Sequence, residues 1–317
     1  MRARDRAAPP LLLLVLLAPL AGCRTEAPVV DALPTESERM ISVEGVDVHY
    51  FDFRPWAPGP PLLFLHGYSG CGYEAYFFQD DLGPRRVIAP DLPGHGKSGK
   101  PDIDYDLGYY LEFLRGFMQA LRLDHVVLVG HSMGGKIAAA YAALDGSSVD
   151  RLILIAPYGL DGEVGDFIGA LSNTGELVDI SFNLHSQALM DLVLRLEIFH
   201  DHTRIPQDLV DYISDATFFS ENGIGALANI TRNTIARNPI DELLPQILVP
   251  TLIIWGENDR LLKFRYAAEF HGLIAGSTLV SIGECGHMPH VEQQEATADA
   301  IQSFLGSGSL SPAAASP

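Results

Sequence analysis

A short segment near the middle of the chain carries the residue types that a nucleophilic serine needs. It reads VVLV at 126–129, then GHSMG at 130–134, then an alanine-rich stretch. A strand, a Gly-x-Ser-x-Gly turn and a helix in this order lift the serine hydroxyl above a sheet. Gly130 and Gly134 leave room where side chains would clash, and the helix N-terminus favours developing negative charge. The Gly-x-Ser-x-Gly pattern alone is weak evidence for a catalytic serine, but the strand before it and the helix after it make Ser132 the candidate nucleophile.

A serine nucleophile also needs a general base, and the base needs an acid that orients it. His287 lies in a glycine-containing loop after the last predicted strand, which makes it the candidate base. His290, at the start of a helical pattern, is the alternative. Asp259 follows the preceding strand and is the candidate acid. Glu257, closer to that strand, and Asp161, after an earlier strand, are the other possible acids.

Negative charge on a substrate oxygen requires N–H donors aimed at it. One donor is predicted to be the backbone N–H of Met133, directly after Ser132. The other is predicted in the loop that follows His66-Gly67, at the backbone N–H of Tyr68. Because the backbone supplies this donor, we expect the side chain of His66 to brace the loop instead.

The elements that must position these residues alternate between short apolar strands and helical stretches. Strands are predicted at 41–43, 46–53, 61–65, 86–89, 126–129, 152–155, 252–255 and 278–282, and helices at 109–121, 133–144, 264–273 and 291–305. Continuous apolar runs are typical of strands that are covered on both faces. The alternation therefore predicts a doubly wound, mostly parallel sheet of eight strands.

One stretch of about 95 residues between Ile155 and Thr251 lacks a convincing buried strand. Helical patterns cover 187–199, 206–213 and 223–235, so we predict a helical cap at 160–242, inserted between core segments 40–159 and 243–305. The apolar residues of the cap are expected either to line an acyl pocket or to pack the cap onto the core. They are Phe167, Ile168, Leu171, Phe182, Leu189, Met190, Phe199, Phe218 and Phe219.

The N-terminus is typical of a targeting segment. A basic start and an apolar run over 11–20 are too short for a spanning helix, which needs about 20 apolar residues, and match a secretory signal peptide. Leu20-Ala21-Gly22-Cys23 resembles the lipobox of bacterial lipoproteins, which implies lipidation of the Cys23 thiol. An ordinary cleaved signal with an incidental cysteine is the alternative.

The two chain ends are accordingly predicted to lie outside the folded core. We predict a lipoprotein signal at 1–22, a tether at 23–39 and a disordered tail at 306–317. The protein is expected to be exported and held on a membrane through Cys23, at the outer membrane or its periplasmic face or at the cell surface.

Four motifs together resemble those of the α/β-hydrolase superfamily over about residues 40–305. They are HGYSG at 66–70, DLPGHGKS at 91–98, GHSMGG at 130–135, and GENDRLL at 256–262 with GHMPH at 286–290. The chain looks most similar to lipase- and esterase-like members with a helical cap, such as monoacylglycerol lipases. The resemblance implies an eight-stranded sheet and a triad of Ser132, Asp259 and His287 that hydrolyses carboxylic esters through an acyl-enzyme.

The resemblance also narrows the chemistry. It implies no cofactor, and the scattered histidines predict no metal cluster. In this family DLPGHGKS is a structural loop, so Asp91 and His95 are expected to have no chemical role. Serine at position 132 argues against dehalogenase and epoxide hydrolase chemistry, in which an aspartate attacks.

The net charge of −19, from 21 basic and 40 acidic residues, makes nucleic acid an unsuitable partner. A small-molecule ester or lipid is the expected substrate. A C–C bond hydrolase and a perhydrolase use the same triad, and a non-catalytic ligand-binding protein could share the scaffold. Cys71 and Cys285 are expected near the site, either as a disulfide or as buried free thiols.

Overall fold

The computed structural model describes residues 35–163 and 194–306, which build an eight-stranded sheet. The strands are β1 (Glu38–Val43), β2 (Val46–Phe53), β3 (Leu62–Leu65), β4 (Val87–Pro90), β5 (Val126–His131), β6 (Val149–Ile155), β7 (Thr251–Gly256) and β8 (Thr278–Ile282). They lie in the order β1-β2-β4-β3-β5-β6-β7-β8. β2 is antiparallel to β1 and β4, and every other pair is parallel. The predicted doubly wound, mostly parallel sheet is confirmed.

Helices alternate with these strands and pack against the sheet. The α-helices are α1 (Tyr76–Gln79), α2 (Leu107–Ala120), α3 (Met133–Asp145), α4 (Gln207–Ile213), α5 (Gly223–Ile230), α6 (Arg265–Leu273), α7 (Pro289–Glu292) and α8 (Gln294–Gly306). Single-turn π-helices occupy Leu194–Ile198, Ser214–Phe218 and Thr231–Ile235. The helix predicted over 291–305 is divided into α7 and α8, because Gln293 departs from helical geometry with φ −130° and ψ 61°.

Burial explains which strands were readable in the sequence. All residues of β3, β5 and β7 are buried, which is why these strands are continuous apolar runs. β1 begins at Glu38, earlier than predicted, because this edge strand exposes polar residues and lacks an apolar run. It pairs with β2 along its whole length, with Glu38 opposite Phe51.

The carboxyl ends of the parallel strands meet at one edge of the sheet, the usual position of a site in such folds. Gly67 follows β3, Ser132 follows β5 and Glu257 follows β7 at this edge. The loops that carry the candidate residues therefore come together although they are far apart in sequence.

The predicted cap at 160–242 is described in part. α4, α5 and the three π-helices lie in it, whereas 164–193, with the apolar residues from Phe167 to Met190, falls outside the described residues. Phe199 and Phe218 are buried and Phe219 is half-buried. The cap boundaries stay a prediction.

Polar contacts join the described cap to the core. The Tyr212 hydroxyl, in α4, donates to Oδ2 of Asp91 at 2.8 Å. The Lys136 ammonium, in α3, donates to the carbonyl oxygens of Thr234 (2.7 Å) and Arg237 (2.8 Å). Burial lowers the pKa of Lys136 to about 8. These bonds hold the cap next to the helix that follows the candidate nucleophile.

The predicted signal peptide with Cys23 lies outside the described residues, as does nearly all of the predicted tail. Across 35–163 and 194–306, no helix is long and apolar enough to cross a membrane.

Candidate active site

Ser132 occupies a strained turn between β5 and α3. Its φ of 51° and ψ of −116° lie in a region that non-glycine residues rarely adopt. Three backbone bonds hold it there: its N–H donates to Ile155 O at 3.0 Å, and its carbonyl oxygen accepts from Lys136 N (3.1 Å) and Tyr158 N (3.0 Å). A strained backbone that is held in place by several hydrogen bonds is common at functional sites.

The two glycines of the turn have the steric role that the sequence predicts. A Cβ at Gly130 would lie 2.3 Å from the carbonyl oxygen of Gly134. A Cβ at Gly134 would lie 2.2 Å from the carbonyl oxygen of Leu65, in β3. Both contacts are with backbone, so a larger residue at either position would displace the turn.

His287 is bonded to Asp259. Nδ1 of His287 lies 2.7 Å from Oδ2 of Asp259, and both side chains are buried. The other carboxylate oxygen accepts from the backbone N–H groups of Leu261 (2.9 Å) and Leu262 (2.8 Å). A carboxylate only accepts, so Nδ1 carries a proton, and a second proton is not needed to make this bond. Nε2 is buried and bonds to nothing within the described ranges.

The loop of His287 lies against the turn of Ser132. Nε2 of His131, the residue before Ser132, donates to the carbonyl oxygen of His287 at 3.0 Å. The two imidazole centroids are 4.8 Å apart. The geometry thus brings a buried imidazole, whose Nε2 has no hydrogen bond within the described residues, to the turn of Ser132, and general-base chemistry requires an imidazole in such a position.

The alternative acids and base have other contacts. Nε2 of His290 donates to Oε2 of Glu74 at 3.1 Å. Glu257 is exposed and accepts a bond from the hydroxyl of Ser281 at 2.8 Å. Asp161 is also exposed. The structure therefore pairs His287 with Asp259, and the roles of these residues stay predictions.

His66 braces the loop after β3, as expected. Its Nε2 accepts from Leu92 N at 2.9 Å, so Nδ1 carries the proton and donates to Gly67 O at 2.8 Å. Burial lowers the pKa of His66 and keeps the ring neutral. A Cβ at Gly67 would lie 3.1 Å from Cβ of Ser132, which shows how close this loop comes to the turn.

The two predicted oxyanion donors follow residues of the turn and of the adjacent loop: Met133 comes directly after Ser132, and Tyr68 directly after Gly67. Tyr68 is half-buried, and Met133 is the first, fully buried residue of α3. The Tyr68 hydroxyl accepts from the Thr231 hydroxyl at 2.9 Å, which ties this loop to the cap. That the N–H groups of Tyr68 and Met133 bind an oxyanion stays a prediction.

Asp91 makes contacts that hold its loop in place, and its expected lack of a chemical role stays a prediction. It is fully buried, and its carboxylate accepts from Gly72 N (2.7 Å) and Lys97 N (2.8 Å). Burial acts to raise the pKa of Asp91, but the bond with His49 and the other donors bring it below its ordinary value. Asp91 thus fastens its own loop to the turn that follows Gly70. His95 is equally buried, and burial lowers the pKa of its ring.

A buried cluster of Glu74, His131 and His290 was not predicted. Their donor atoms lie within 4.8 Å of one another and could hold a metal ion, whereas the sequence predicts no metal cluster. Glu74 already accepts from His290 and, at 3.2 Å, from Cys71 N. Burial acts to raise the pKa of Glu74, but its contacts with the two histidines hold it well below the ordinary range. Burial lowers the pKa of His131 to about 3.

A second unpredicted carboxyl group is Glu163. It is fully buried after β6, and Oε2 accepts from Gly159 N (2.7 Å) and Leu160 N (2.8 Å). Burial raises the pKa of Glu163 to about 8, and the charge of Asp259 adds to the rise. Glu163 is therefore mostly protonated at neutral pH.

The two cysteines near the site are free and buried. The disulfide hypothesis is thus wrong for this structure, and the alternative of two buried thiols holds. Burial raises the pKa of both Cys71 and Cys285, so neither thiol resembles a reactive cysteine.

Comparison with known proteins adds a family and several relatives. The family model for the alpha/beta hydrolase fold matches residues 60–294. The 2-hydroxy-6-oxo-6-(2'-aminophenyl)hexa-2,4-dienoic acid hydrolase of Metapseudomonas resinovorans is 28% identical over 278 residues, 84% of this chain and 90% of that enzyme. Monoacylglycerol lipase abhd6-A of Xenopus laevis is 27% identical over 255 residues, 78% of this chain and 75% of the lipase.

A solved structure is similar at the level of the fold and the sequence. The crystal structure of a membrane phospholipase A, described as a novel bacterial virulence factor, superimposes with a TM-score of 0.71. It is 28% identical, and the match covers 85% of each chain.

Proposed function

Because this chain belongs to the alpha/beta hydrolase fold family, we propose that it is a serine carboxylester hydrolase. Ser132 is the nucleophile, His287 the general base and Asp259 the acid that orients the base. The observation that carries the proposal is the buried His287. Its Nδ1 is bonded to Asp259, its buried Nε2 has no hydrogen-bond partner within the described residues, and its loop lies against the strained turn of Ser132.

The reaction proceeds in two acyl transfers. Nε2 of His287 takes the proton of the Ser132 hydroxyl as its oxygen attacks the ester carbonyl carbon. The tetrahedral intermediate collapses, the C–O bond to the alcohol breaks, and His287 gives its proton to the leaving oxygen. Water then attacks the acyl-enzyme, with His287 again as base, and releases the acid and the serine hydroxyl.

The negative oxygen of each intermediate is bound by the backbone N–H groups of Met133 and Tyr68. Met133 is the first residue of α3, where helix N–H groups lack internal partners. Donors fixed before the reaction stabilise the developing charge without reorganisation.

The substrate is proposed to be an ester of an apolar acyl chain, of the monoacylglycerol or phospholipid type. Apolar residues of the described cap support this class: Leu227 and Ile230 are buried in α5, and the Tyr68 hydroxyl donates to the carbonyl oxygen of Leu227 at 3.5 Å. Lipidation of Cys23 would hold the enzyme at the membrane, where such esters occur. The similar proteins that are named as a monoacylglycerol lipase and a membrane phospholipase A support this substrate class.

C–C bond hydrolysis is the second candidate. Two relatives that are 28% identical are named as hydrolases of 2-hydroxy-6-oxo-dienoic acids. The same serine, histidine and aspartate would serve a vinylogous diketone. The products separate the two activities, because an ester yields an alcohol and an acid, whereas the diketone is cleaved between carbons.

The test uses the full chain in detergent, with a fluorophosphonate probe and p-nitrophenyl esters of rising chain length. We expect wild type to be labelled at Ser132 and to hydrolyse the esters. Ser132→Ala should lose labelling and at least about 10³-fold in kcat. A folded wild-type protein that neither reacts with the probe nor turns over either substrate class would contradict the proposal and favour a binding protein.

A further inference from the structure

Glu292, the last residue of α7, has a buried carboxylate that the proposed chemistry does not use. Its Oε2 accepts from the backbone N–H of Gly286 at 2.7 Å, directly before His287. Its Oε1 accepts from the backbone N–H of Asp201 at 2.6 Å, in the predicted cap. One side chain thus bonds both to the loop of the proposed base and to the inserted segment.

We infer that Glu292 is a positioning residue, which sets the place of His287 by fastening its loop to cap segment 198–204. The inference rests on the proposed role of His287 as the base. It goes further because it assigns part of the positioning of the base to the cap and not to the sheet.

Three further contacts join the same two segments. The N–H of His287 donates to the carbonyl oxygen of Ile198 at 2.7 Å. Nη1 of Arg204 donates to the carbonyl oxygen of Glu292 at 2.8 Å. A Cβ at Gly286 would lie 2.3 Å from the oxygen of Ile198, so the backbones touch. The cap segment therefore binds the loop of His287 in two ways. The carbonyl oxygen of Ile198 accepts from the N–H of His287 itself. The N–H of Asp201 donates to the Glu292 carboxylate, which in turn accepts from the N–H of Gly286.

The chemistry of the contact calls for a carboxylate. Two N–H donors face two carboxylate oxygens, and bonds of this charge-assisted kind are roughly twice as strong as neutral ones. A glutamine has one oxygen and one NH₂ group, so one of the two N–H donors would face another donor. The loop would then lose its tie either at Gly286 or at Asp201.

The position of His287 matters because general-base catalysis needs Nε2 within hydrogen-bond reach of the nucleophile. A misplacement of about 1 Å can cost about 100-fold in rate. The core holds His287 through Asp259 and His131, and Glu292 holds the peptide before it. Movement of the cap segment would therefore be transmitted to the base.

The test compares Glu292→Gln with Glu295→Gln, a matched change at an exposed carboxylate three residues away. Both are made in the full chain in detergent, and active sites are titrated with the fluorophosphonate. We expect Glu292→Gln to lower kcat per titrated site by about 10- to 100-fold, with KM within about twofold, while Glu295→Gln behaves as wild type. A kcat per site within twofold of wild type, even with a lower Tm, would show a merely structural residue and overturn the inference.

Hydrogen exchange tests the link to the cap without relying on activity. In Glu292→Gln, peptides that cover 198–204 and 283–290 should lose protection together. Loss in only one of them would overturn the link. Because this readout does not use Ser132 chemistry, it stays informative even if Ser132→Ala retains full hydrolysis and the proposed function fails.

A milder variant covers the case in which Glu292→Gln does not fold. Arg204 is half-exposed, so Arg204→Ala should fold. Arg204→Ala removes its bonds to the carbonyl oxygen of Glu292 and to Oε1 of Gln293 and its ion pair with Asp201, and this loosening of the same tie should lower kcat per site by about fivefold, the equivalent of about 1 kcal/mol. An unchanged kcat in Arg204→Ala would count against the inference.

Discussion

Asp259 and Glu257 lie two residues apart in one loop after β7 and have opposite surroundings. Asp259 is buried and bonds Nδ1 of His287, whereas Glu257 is exposed and bonds the Ser281 hydroxyl. Both carboxylates follow the same strand in the sequence, and only burial and the direction of the side chain separate them. Glu257 therefore offers a control for substitutions of Asp259.

We expect Asp259→Asn to lower kcat by about 10³- to 10⁴-fold, because an amide can turn its NH₂ toward Nδ1 and favour the wrong tautomer of His287. Glu257→Gln should leave kcat within about twofold, since its contact lies at the surface. Steady-state hydrolysis of a p-nitrophenyl ester by both variants checks this. Equal losses in the two would show that Asp259 is not the orienting acid.

We expect the protein to be less stable with Ser132 than with a glycine at the same position. Its φ of 51° and ψ of −116° cost a residue with a Cβ of order 1–3 kcal/mol, whereas glycine adopts them more readily. Ser132→Gly should raise the free energy of unfolding by about 1 kcal/mol, after its larger unfolded-state entropy is allowed for. Ser132→Ala keeps the Cβ and should bring no such gain. Urea denaturation of the two inactive variants measures the difference, and equal stabilities would contradict it.

Glu163 should make stability fall as pH rises. Its folded pKa, about 8, lies above the ordinary value of 4.5, so the folded state retains a proton that the unfolded chain has lost. This contribution is fully present below pH 4.5 and is lost as pH rises toward 8, with a slope of up to about 1.4 kcal/mol per pH unit.

Glu163→Gln keeps one acceptor oxygen but replaces the carboxyl group by an amide, which does not titrate. Its free energy of unfolding, measured by urea denaturation at pH 5 to 9, should therefore fall less steeply than that of wild type. Glu269→Gln, at an exposed position, is the matched control. Parallel curves for wild type and Glu163→Gln would show that Glu163 ionises normally.

Glu74 has the opposite pH dependence. Its folded pKa lies well below 4.5, so its contribution to stability is present above pH 4.5 and is lost as pH falls through the folded pKa. Glu74→Gln at pH 7 should lower the free energy of unfolding by about 1–3 kcal/mol, because one buried donor of Cys71 or His290 loses its acceptor. Urea denaturation alongside Glu269→Gln checks this, and a loss of less than 0.5 kcal/mol would argue against the cluster.

Much of the fold was predictable because its central strands are buried on both faces. β3, β5 and β7 are therefore visible in the sequence as apolar runs, and each is followed by a loop that carries a candidate site residue. β1 was placed only in part, because an edge strand with exposed polar residues has no such signal. Local sequence indicates local burial, and it does so best where the pattern is continuous.

The candidate site was predictable only where its residues follow strands. His287 and Asp259 could be chosen from their loops, and the structure pairs them. Glu74 and Glu292 could not, because their partners are backbone groups and histidines brought close by the fold. Glu74 and His290 are 216 residues apart, and no periodicity joins them. The signal available was a charged residue next to apolar neighbours, which is too common to decide a role.

The contact of Lys136 with the cap limits how freely this protein could exchange parts with its relatives. Its ammonium, inside the core, finds acceptors only in the carbonyl groups of Thr234 and Arg237 among the hydrogen bonds of the described residues. A chimera that replaced 160–242 by a foreign insert would leave a buried cation without these acceptors, at a cost of several kcal/mol. A transplant of this segment therefore needs Lys136→Met in the recipient, or matching carbonyl groups in the donor.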